Sequence, residues 1–263
     1  MAIGEPDLGY PLPWSIQTWL PGRTAAEDDP GSSVDVAHDL ARFVTQLRAV
    51  DTRGRTFAGT NRGGDLTSRD AWMQTCLARS EGLLDVARLR RLWADLRLLP
   101  RTSPDAMTHG DLIPGNVLVA DGRLVGVLDV GGFGPADPAL DLVGAWHLLE
   151  DGPRRVLREE LGCDELEWGR GRAWAFEQAM GLVWYYAASA PTLSAFGRRT
   201  LDRLLGEECQ WASPEVRQGS ASSRCVHRKA DEGGILGRIL TEENAARCVP
   251  GGRGARRTSG HAH

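Results

Sequence analysis

Two short apolar runs in the middle of the chain constrain its fold more than any other feature. Residues 117–120 and 124–128 are rich in valine and leucine, and they are separated by Asp121-Gly122. This dipeptide favours the tight turn of a β-hairpin, because both of its residues tolerate positive φ angles. The chain on either side shows helical periodicity instead. The sequence therefore predicts an α+β fold in which a mostly helical body surrounds one hairpin.

The predicted helices each bury one face, because their apolar residues recur with a period near 3.6. Ser33 is suited to cap the first helix, and Asp137-Pro138 is suited to begin another. Residues 51–68 show no periodicity and are predicted to form a loop, and residues 15–20 alternate like a lone strand. The predicted helices span residues 34–50, 69–80, 85–98, 138–150, 154–161, 169–188 and 192–206.

Polar side chains lie directly before and after the predicted hairpin. Asp111 and Asn116 precede it, and Asp129 follows it, so the return of the chain brings Asp129 towards Asn116. Phosphoryl transfer needs a carboxylate that receives the proton of the attacking hydroxyl, and oxygen ligands that hold magnesium against nucleotide phosphates. Asp111 fits the first role, and Asn116 and Asp129 fit the second. Glycines after Asp129 permit a tight backbone at this point.

The motifs HGDLIPGN, LDVGG and DPALDL, in this order, resemble the aminoglycoside phosphotransferase family of kinase-like enzymes. The resemblance implies a protein-kinase-like fold, ATP or GTP as phosphate donor, and Mg²⁺. It implies that Asp111 is the catalytic base and that Asn116 and Asp129 are magnesium ligands. His109 belongs to the same catalytic loop as a scaffold, and Asp141 supports the loop through its backbone.

The resemblance also suggests a division of the chain into three parts. PWSIQTWLPG is similar to the hinge between the two lobes of the family, where backbone groups near Trp19 and Leu20 would meet the adenine. Residues 1–22 are thus expected to be a remnant of the small N-terminal lobe with the hinge strand. Residues 23–208 are expected to form the helical C-terminal lobe. Residues 209–263 are rich in Ser, Gly and Arg and are predicted to be mostly disordered.

The small lobe of the family supplies a sheet, a loop over the nucleotide and a lysine for the phosphates. The chain has a single lysine, Lys229, which lies in the tail. Because only about 15 residues precede the hinge and none is a lysine, we expect the N-terminal sheet lobe to be largely missing. We expect the phosphotransferase activity to be doubtful, since a lost charge clamp costs roughly 3 kcal/mol or more. The alternative from another functional class is a catalytically inactive remnant that binds a small molecule or a partner.

The composition of the chain limits the classes of partner that we expect it to bind. The net charge is −4, and an acidic body favours a cationic small molecule over nucleic acid. No apolar run is long enough to span a membrane, and no secretory signal is evident. Five scattered cysteines indicate a reduced, cytoplasmic protein. The predicted acceptor is a small-molecule hydroxyl, on an aminoglycoside, another antibiotic or an amino alcohol, and the oligomeric state is left open.

Several other residues have a structural interpretation beside a functional one. Arg62 and Arg69 are predicted to lie in a solvated loop, with phosphate contact as the alternative. Trp14 and Trp19 are predicted to pack rather than to stack on a nucleotide. The aromatic run at residues 184–186 is predicted to belong to the core.

Overall fold

Helices form most of the molecule in the computed structural model, which describes residues 2–16 and 18–211, with the side chains of residue 15 and residues 208–211 excepted. The tail that was predicted to be mostly disordered, residues 209–263, lies outside the described residues from residue 212 onwards. The expected boundary at residues 208–209 falls within a helix that continues to Trp211. No helix in the described part of the chain is long and apolar enough to cross a membrane. The α-helices within the described residues are α1 (Val34–Arg48), α2 (Asp70–Arg79), α3 (Val86–Leu96), α4 (Val143–Leu148), α5 (Asp151–Leu161), α6 (Glu165–Tyr185) and α7 (Pro191–Trp211).

These bounds agree closely with the predicted helices, but one predicted helix begins as a different type of helix. The segment that begins at Asp137-Pro138 opens with a 3-10 helix, Pro138–Leu142, before α4 follows. Asp137 caps it as predicted, since its side chain accepts the N–H of Ala139 at 3.1 Å. A cap fixes where a helix begins, but it does not choose between the two helix types.

The strands form three small antiparallel sheets within the described residues. The orders are β1-β2, β3-β5-β6 and β4-β7. The strands themselves are β1 (Ala2–Gly4), β2 (Trp14–Ile16), β3 (Arg23–Thr24), β4 (Ala106–Thr108), β5 (Val117–Ala120), β6 (Arg123–Val127) and β7 (Gly134–Ala136).

The predicted hairpin is confirmed as β5 and β6. Its turn residues Asp121 and Gly122 have φ angles of +51° and +70°, as a tight primed turn requires. The strand expected at 15–20 ends at Ile16, so this prediction was wrong beyond that residue. Residues 23–24, which were not assigned to any predicted element, pair with β5. Two residues are too few to show the alternation of buried and exposed side chains that predicts a strand.

Helix α1 holds the hairpin in place. Asp39 is 1% exposed and accepts Nε and Nη2 of Arg123, at 2.7 and 2.6 Å, and the N–H of Leu124 at 3.2 Å. Ser33 caps α1 by accepting the N–H of Val36, and its hydroxyl donates to the carbonyl of Gly122 in the hairpin turn. Ser33 thereby both caps α1 and fixes the turn of the hairpin, which is the end opposite to the one that Asn116 and Asp129 flank.

Helix α6 forms the centre of the helical body. Trp174, Phe176 and Met180 are fully buried on it. Gly171 permits a close approach, because a Cβ at this position would lie 2.5 Å from the Cβ of Leu142. The 3-10 helix that follows the hairpin is therefore pressed against the core, and it provides a rigid base for the loop described next.

Candidate active site

The loop that follows β4 is fixed by a buried carboxylate. Asp141 accepts the backbone N–H of His109 at 2.9 Å and that of Gly110 at 2.8 Å. It is 1% exposed, and burial raises its pKa, while the two N–H donors act in the opposite direction. Gly110 has a φ of +81°, which turns the chain sharply towards Asp111. This is the backbone support that the family resemblance implies.

His109 joins the loop to the end of the hairpin. Its ring is buried between Phe43 and Phe133, both in edge contact. Nδ1 accepts the N–H of Asp111 at 3.3 Å, which leaves Nε2–H to donate to the carbonyl of Leu128 at 2.9 Å. Both ring nitrogens are therefore engaged, and the ring links the loop to the end of the hairpin.

Asp111 and Asn116 lie in direct contact. Nδ2 of Asn116 donates to the carbonyl oxygen of Asp111 at 2.9 Å and to its Oδ2 at 3.2 Å. The carbonyl of Asn116 accepts the N–H of Leu128 at 2.7 Å. This backbone bond brings the start of the hairpin beside its end. Asp129 is the next residue after Leu128, which donates this bond.

Asp129 has a backbone conformation that few side chains adopt. Its φ and ψ are +58° and +50°, in the left-handed region, where aspartate is more readily accommodated than most residues. It is exposed, and within the described residues its carboxylate makes no hydrogen bond. A strained and open carboxylate of this kind is typical of a functional position.

Asn116 and Asp129 offer oxygen ligands that fit magnesium. The amide nitrogen of Asn116 makes both of its contacts with Asp111, so its Oδ1 is not used by them. Amide and carboxylate oxygens are the ligands that a hard divalent cation prefers. No cluster of three or more His, Cys, Asp and Glu side chains that could hold a metal occurs in the part of the chain that the structure describes. Any cation here would thus keep further ligands from water or substrate.

Arg62 was not predicted to approach this loop. Its Nη2 lies 3.2 Å from Oδ1 of Asp111, with side-chain exposures of 31% and 36%. Arg69 is 17% exposed, because it pairs with the buried Glu177, and it ends a 3-10 helix. The prediction of a solvated loop was therefore wrong for Arg69, whereas Arg62 lies in a partly exposed loop as predicted. With Arg62 on Oδ1 and Asn116 on Oδ2, both oxygens of Asp111 are engaged.

The two residues predicted to lie at the hinge, Trp19 and Leu20, have different environments. Leu20 is half-buried over the hairpin, with its Cδ1 2.8 Å from where a Cβ on Gly126 would be. Trp19 is 87% exposed and Trp14 is 43% exposed, so the prediction that these tryptophans pack was wrong for Trp19. Trp14 lies over Gly4 instead, since a Cβ there would meet its ring at 2.1 Å.

A pocket of about 450 Å³ opens beside Arg62. Glu177 and Gln178 of α6 line it, and sequence reasoning missed both. Their signal was two adjacent polar residues inside the otherwise apolar stretch of α6 from residue 173 to residue 185. Tyr185 also lines the pocket and is 61% exposed. The prediction that the run at 184–186 lies in the core was therefore wrong at Tyr185, because α6 emerges from the core at its last turn.

Comparison with known proteins identifies the family. The family model described as the phosphotransferase enzyme family, APH, matches residues 1–175. The chain belongs to the APH family. The aminoglycoside 3'-phosphotransferase of Escherichia coli is 30% identical over an alignment of 149 residues, and the match covers 52% of this chain and 52% of that protein. The aminoglycoside 3'-phosphotransferase of Streptomyces fradiae is 33% identical over 153 residues, with 52% and 53% covered. The chain spans about half the length of the curated relatives it matches.

Solved APH structures share the fold. A mutant of aminoglycoside 2'-phosphotransferase-IIIa, in complex with GDP, aligns with a TM-score of 0.54 at 19% identity, covering 81% of this chain and 75% of that chain. The complex of this enzyme type with GDP and kanamycin aligns with a TM-score of 0.51 at 19% identity, covering 78% and 74%. The predicted kinase-like α+β fold is thereby confirmed.

Proposed function

We propose that this chain transfers the γ-phosphate of ATP or GTP to a hydroxyl group of a small molecule. The observation that carries the proposal is the contact of Asn116 with Asp111, at 3.2 Å from Nδ2 to Oδ2, on a loop fixed by Asp141. Fixed orientation of the base is what phosphoryl transfer needs most from the protein, since positioning and charge neutralisation supply its catalysis. Membership of the APH family supports the same reaction class.

Each residue of the loop has a role in this proposal. Asp111 accepts the proton of the acceptor hydroxyl as that oxygen attacks phosphorus. Asn116 and Asp129 hold Mg²⁺, which neutralises charge on the phosphates when bound. His109 keeps the loop and the hairpin end in register through its two ring nitrogens. Arg62 must release Oδ1 of Asp111, or share it, before a hydroxyl can bind there.

The nucleotide side of the site is assigned to residues 1–22. Backbone groups near Trp19 and Leu20 would meet the base of the nucleotide, and residues 23–208 would carry the catalytic loop and the acceptor pocket. Two solved relatives contain GDP, which supports GTP beside ATP as a donor. We place the protein in the cytoplasm, because the two cysteines with described side chains, Cys76 and Cys163, are both buried free thiols.

The first test is binding and turnover with defined donors. Millimolar Mg·ATP or Mg·GTP should raise the melting temperature, and labelled phosphate should appear on an acceptor from a panel of aminoglycosides and other hydroxylated antibiotics. Absence of both results would contradict the proposal and favour a non-catalytic binding module.

The second test addresses the base. Asp111→Asn should lower kcat by about a hundredfold to ten-thousandfold, because general-base catalysis is worth that much, while nucleotide binding is kept. Asp121→Asn is the matched control, since it makes the same change in the exposed hairpin turn. Full turnover by Asp111→Asn would refute the assignment of the base.

A further inference from the structure

Arg62 obstructs the oxygen of the proposed base that a reacting hydroxyl would need. Its Nη2 lies 3.2 Å from Oδ1 of Asp111. The other carboxylate oxygen, Oδ2, accepts Nδ2 of Asn116 at 3.2 Å. Each carboxylate oxygen has two lone pairs, so the arginine obstructs the base without closing it off completely. Any molecule whose proton passes to Oδ1 must compete with this guanidinium.

The backbone of the loop that presents Arg62 is fixed on both sides of this residue. Before it, the N–H of Phe57 donates to Oδ2 of Asp105 at 2.8 Å. After it, the carbonyl of Gly63 accepts the N–H of Asp137 at 2.8 Å. Gly63 has a φ of +112°, and a Cβ there would lie 3.2 Å from the ring of Phe57. The contact with the base is therefore broken most readily by rotation of the Arg62 side chain.

The base itself is held in place, whereas the arginine has room to turn. Asp111 donates its N–H to Nδ1 of His109 at 3.3 Å, and its carbonyl accepts Nδ2 of Asn116 at 2.9 Å. The side chains of Arg62 and Asp111 are 31% and 36% exposed. An ion pair at such exposure shifts an equilibrium by about fivefold at most. The pocket of about 450 Å³ that Arg62 lines gives the guanidinium space to turn into.

We propose that Arg62 guards Asp111 against water and so favours transfer to an acceptor over hydrolysis of the nucleotide, a proposal that rests on the function proposed above. In hydrolysis a water oxygen bonds to the γ-phosphorus while the bond from this phosphorus to the β-phosphate oxygen breaks. The proton of the water passes to Asp111, and the nucleoside diphosphate and inorganic phosphate leave. Water has no further contacts with which to displace Arg62. An acceptor bound in the pocket also contacts its wall, and this binding energy offsets the loss of the ion pair.

Release of inorganic phosphate from saturating Mg·ATP or Mg·GTP, without acceptor, tests the guard in the whole chain. Arg62→Gln should raise kcat of this hydrolysis by about twofold to fivefold, the most that a partly exposed ion pair can suppress. Arg62→Lys keeps the positive charge and should remain closer to the unsubstituted protein. Arg53→Gln, at an exposed position of the same loop, is the matched control and should change nothing. Added salt screens the pair, so it should speed hydrolysis in the unsubstituted protein more than in Arg62→Gln.

A double variant shows whether Arg62 acts through the base. Asp111→Asn removes the carboxylate, so adding Arg62→Gln should leave hydrolysis as slow as in Asp111→Asn alone. A rise in that background would overturn the proposal, and so would unchanged or slower hydrolysis in Arg62→Gln. Transfer to the aminoglycoside panel is measured separately. Transfer without a rise in hydrolysis in Arg62→Gln would overturn the guard alone, whereas the absence of both activities would refute the proposed reaction as well.

Discussion

The buried carboxylate of Asp141 accepts the backbone N–H of His109 at 2.9 Å, across 32 residues of sequence. The loop that carries Asp111 is therefore not held by its own residues alone. It is held by the 3-10 helix after the hairpin, which in turn is pressed on α6 at Gly171. The geometry at the proposed base thus depends on packing in the core, and this dependence can be measured.

Asp141→Asn should loosen the loop. Removing the charge recovers part of the desolvation cost of burying the carboxylate. The amide NH₂ of the asparagine would then face a backbone N–H, and two donors cannot form a hydrogen bond with each other. We expect a net loss of about 1–2 kcal/mol in the free energy of unfolding, and faster hydrogen exchange at the amides of His109 or Gly110. Asp121→Asn in the hairpin turn is the control and should change neither quantity. Unchanged exchange at both amides would contradict the support role of Asp141.

His147 should make the protein less stable in acid. Burial lowers its pKa to about 4, from 6.5 in the unfolded chain, because the ring is enclosed between Thr200 and Gln178. The unfolded state therefore binds a proton that the folded state excludes between these pH values. Stability should be full above pH 6.5 and should fall by about 3 kcal/mol as the pH drops to 4. Urea unfolding at several pH values measures this, and the fall should be smaller in His147→Gln. Parallel curves for the two proteins would show that His147 titrates normally.

Arg170 should be essential for stability because it neutralises a buried helix cap. Its Nε and Nη2 lie 2.9 and 2.6 Å from Oδ2 of Asp137, and both side chains are at most 4% exposed. Arg170→Met leaves this carboxylate unpaired and should cost about 3–5 kcal/mol. Adding Asp137→Asn should recover part of the loss, since asparagine still caps a helix and carries no charge. Chemical unfolding of the single and double variants measures how much of the lost free energy of unfolding the second substitution recovers. Arg91→Met on the surface of α3 is the control. Equal losses in the single and double variants would rule out the charge explanation.

Gly171 and Gly206 should respond in opposite ways to alanine. Both lie in helices, where alanine normally gains about 1 kcal/mol. At Gly206, apart from the helix's own backbone and the two chain neighbours, no atom of the described residues lies within 4 Å of the added Cβ, so Gly206→Ala should be stabilising. At Gly171 the Cβ would lie 2.5 Å from the Cβ of Leu142, so Gly171→Ala should cost about 1–3 kcal/mol through overpacking. Melting temperatures of the two variants decide the point, and a gain at both positions would show that α6 and the 3-10 helix separate readily.

The sequence determined the features that arise from neighbours along the chain. The turn at Asp121-Gly122, the cap at Ser33 and the bounds of most helices follow from local conformational preference and from periodicity. The order of His109, Asp111, Asn116 and Asp129 around the hairpin also predicted the loop, because a hairpin brings its two ends together. The assignment of Mg²⁺ and nucleotide to these residues stays a prediction.

Only the tertiary structure decided what surrounds that loop. Arg62 meets Asp111 across 49 residues, and Arg69 meets Glu177 across 108. No local pattern marks such pairs, since Arg62 lies in a segment without periodicity and Arg69 is the first residue of a predicted helix. The same holds for Tyr185, which the apolar composition of α6 assigned to the core although the helix end leaves it. Periodicity indicates which face of an element is buried, whereas the position at which an element leaves the core is set by the packing of the whole chain.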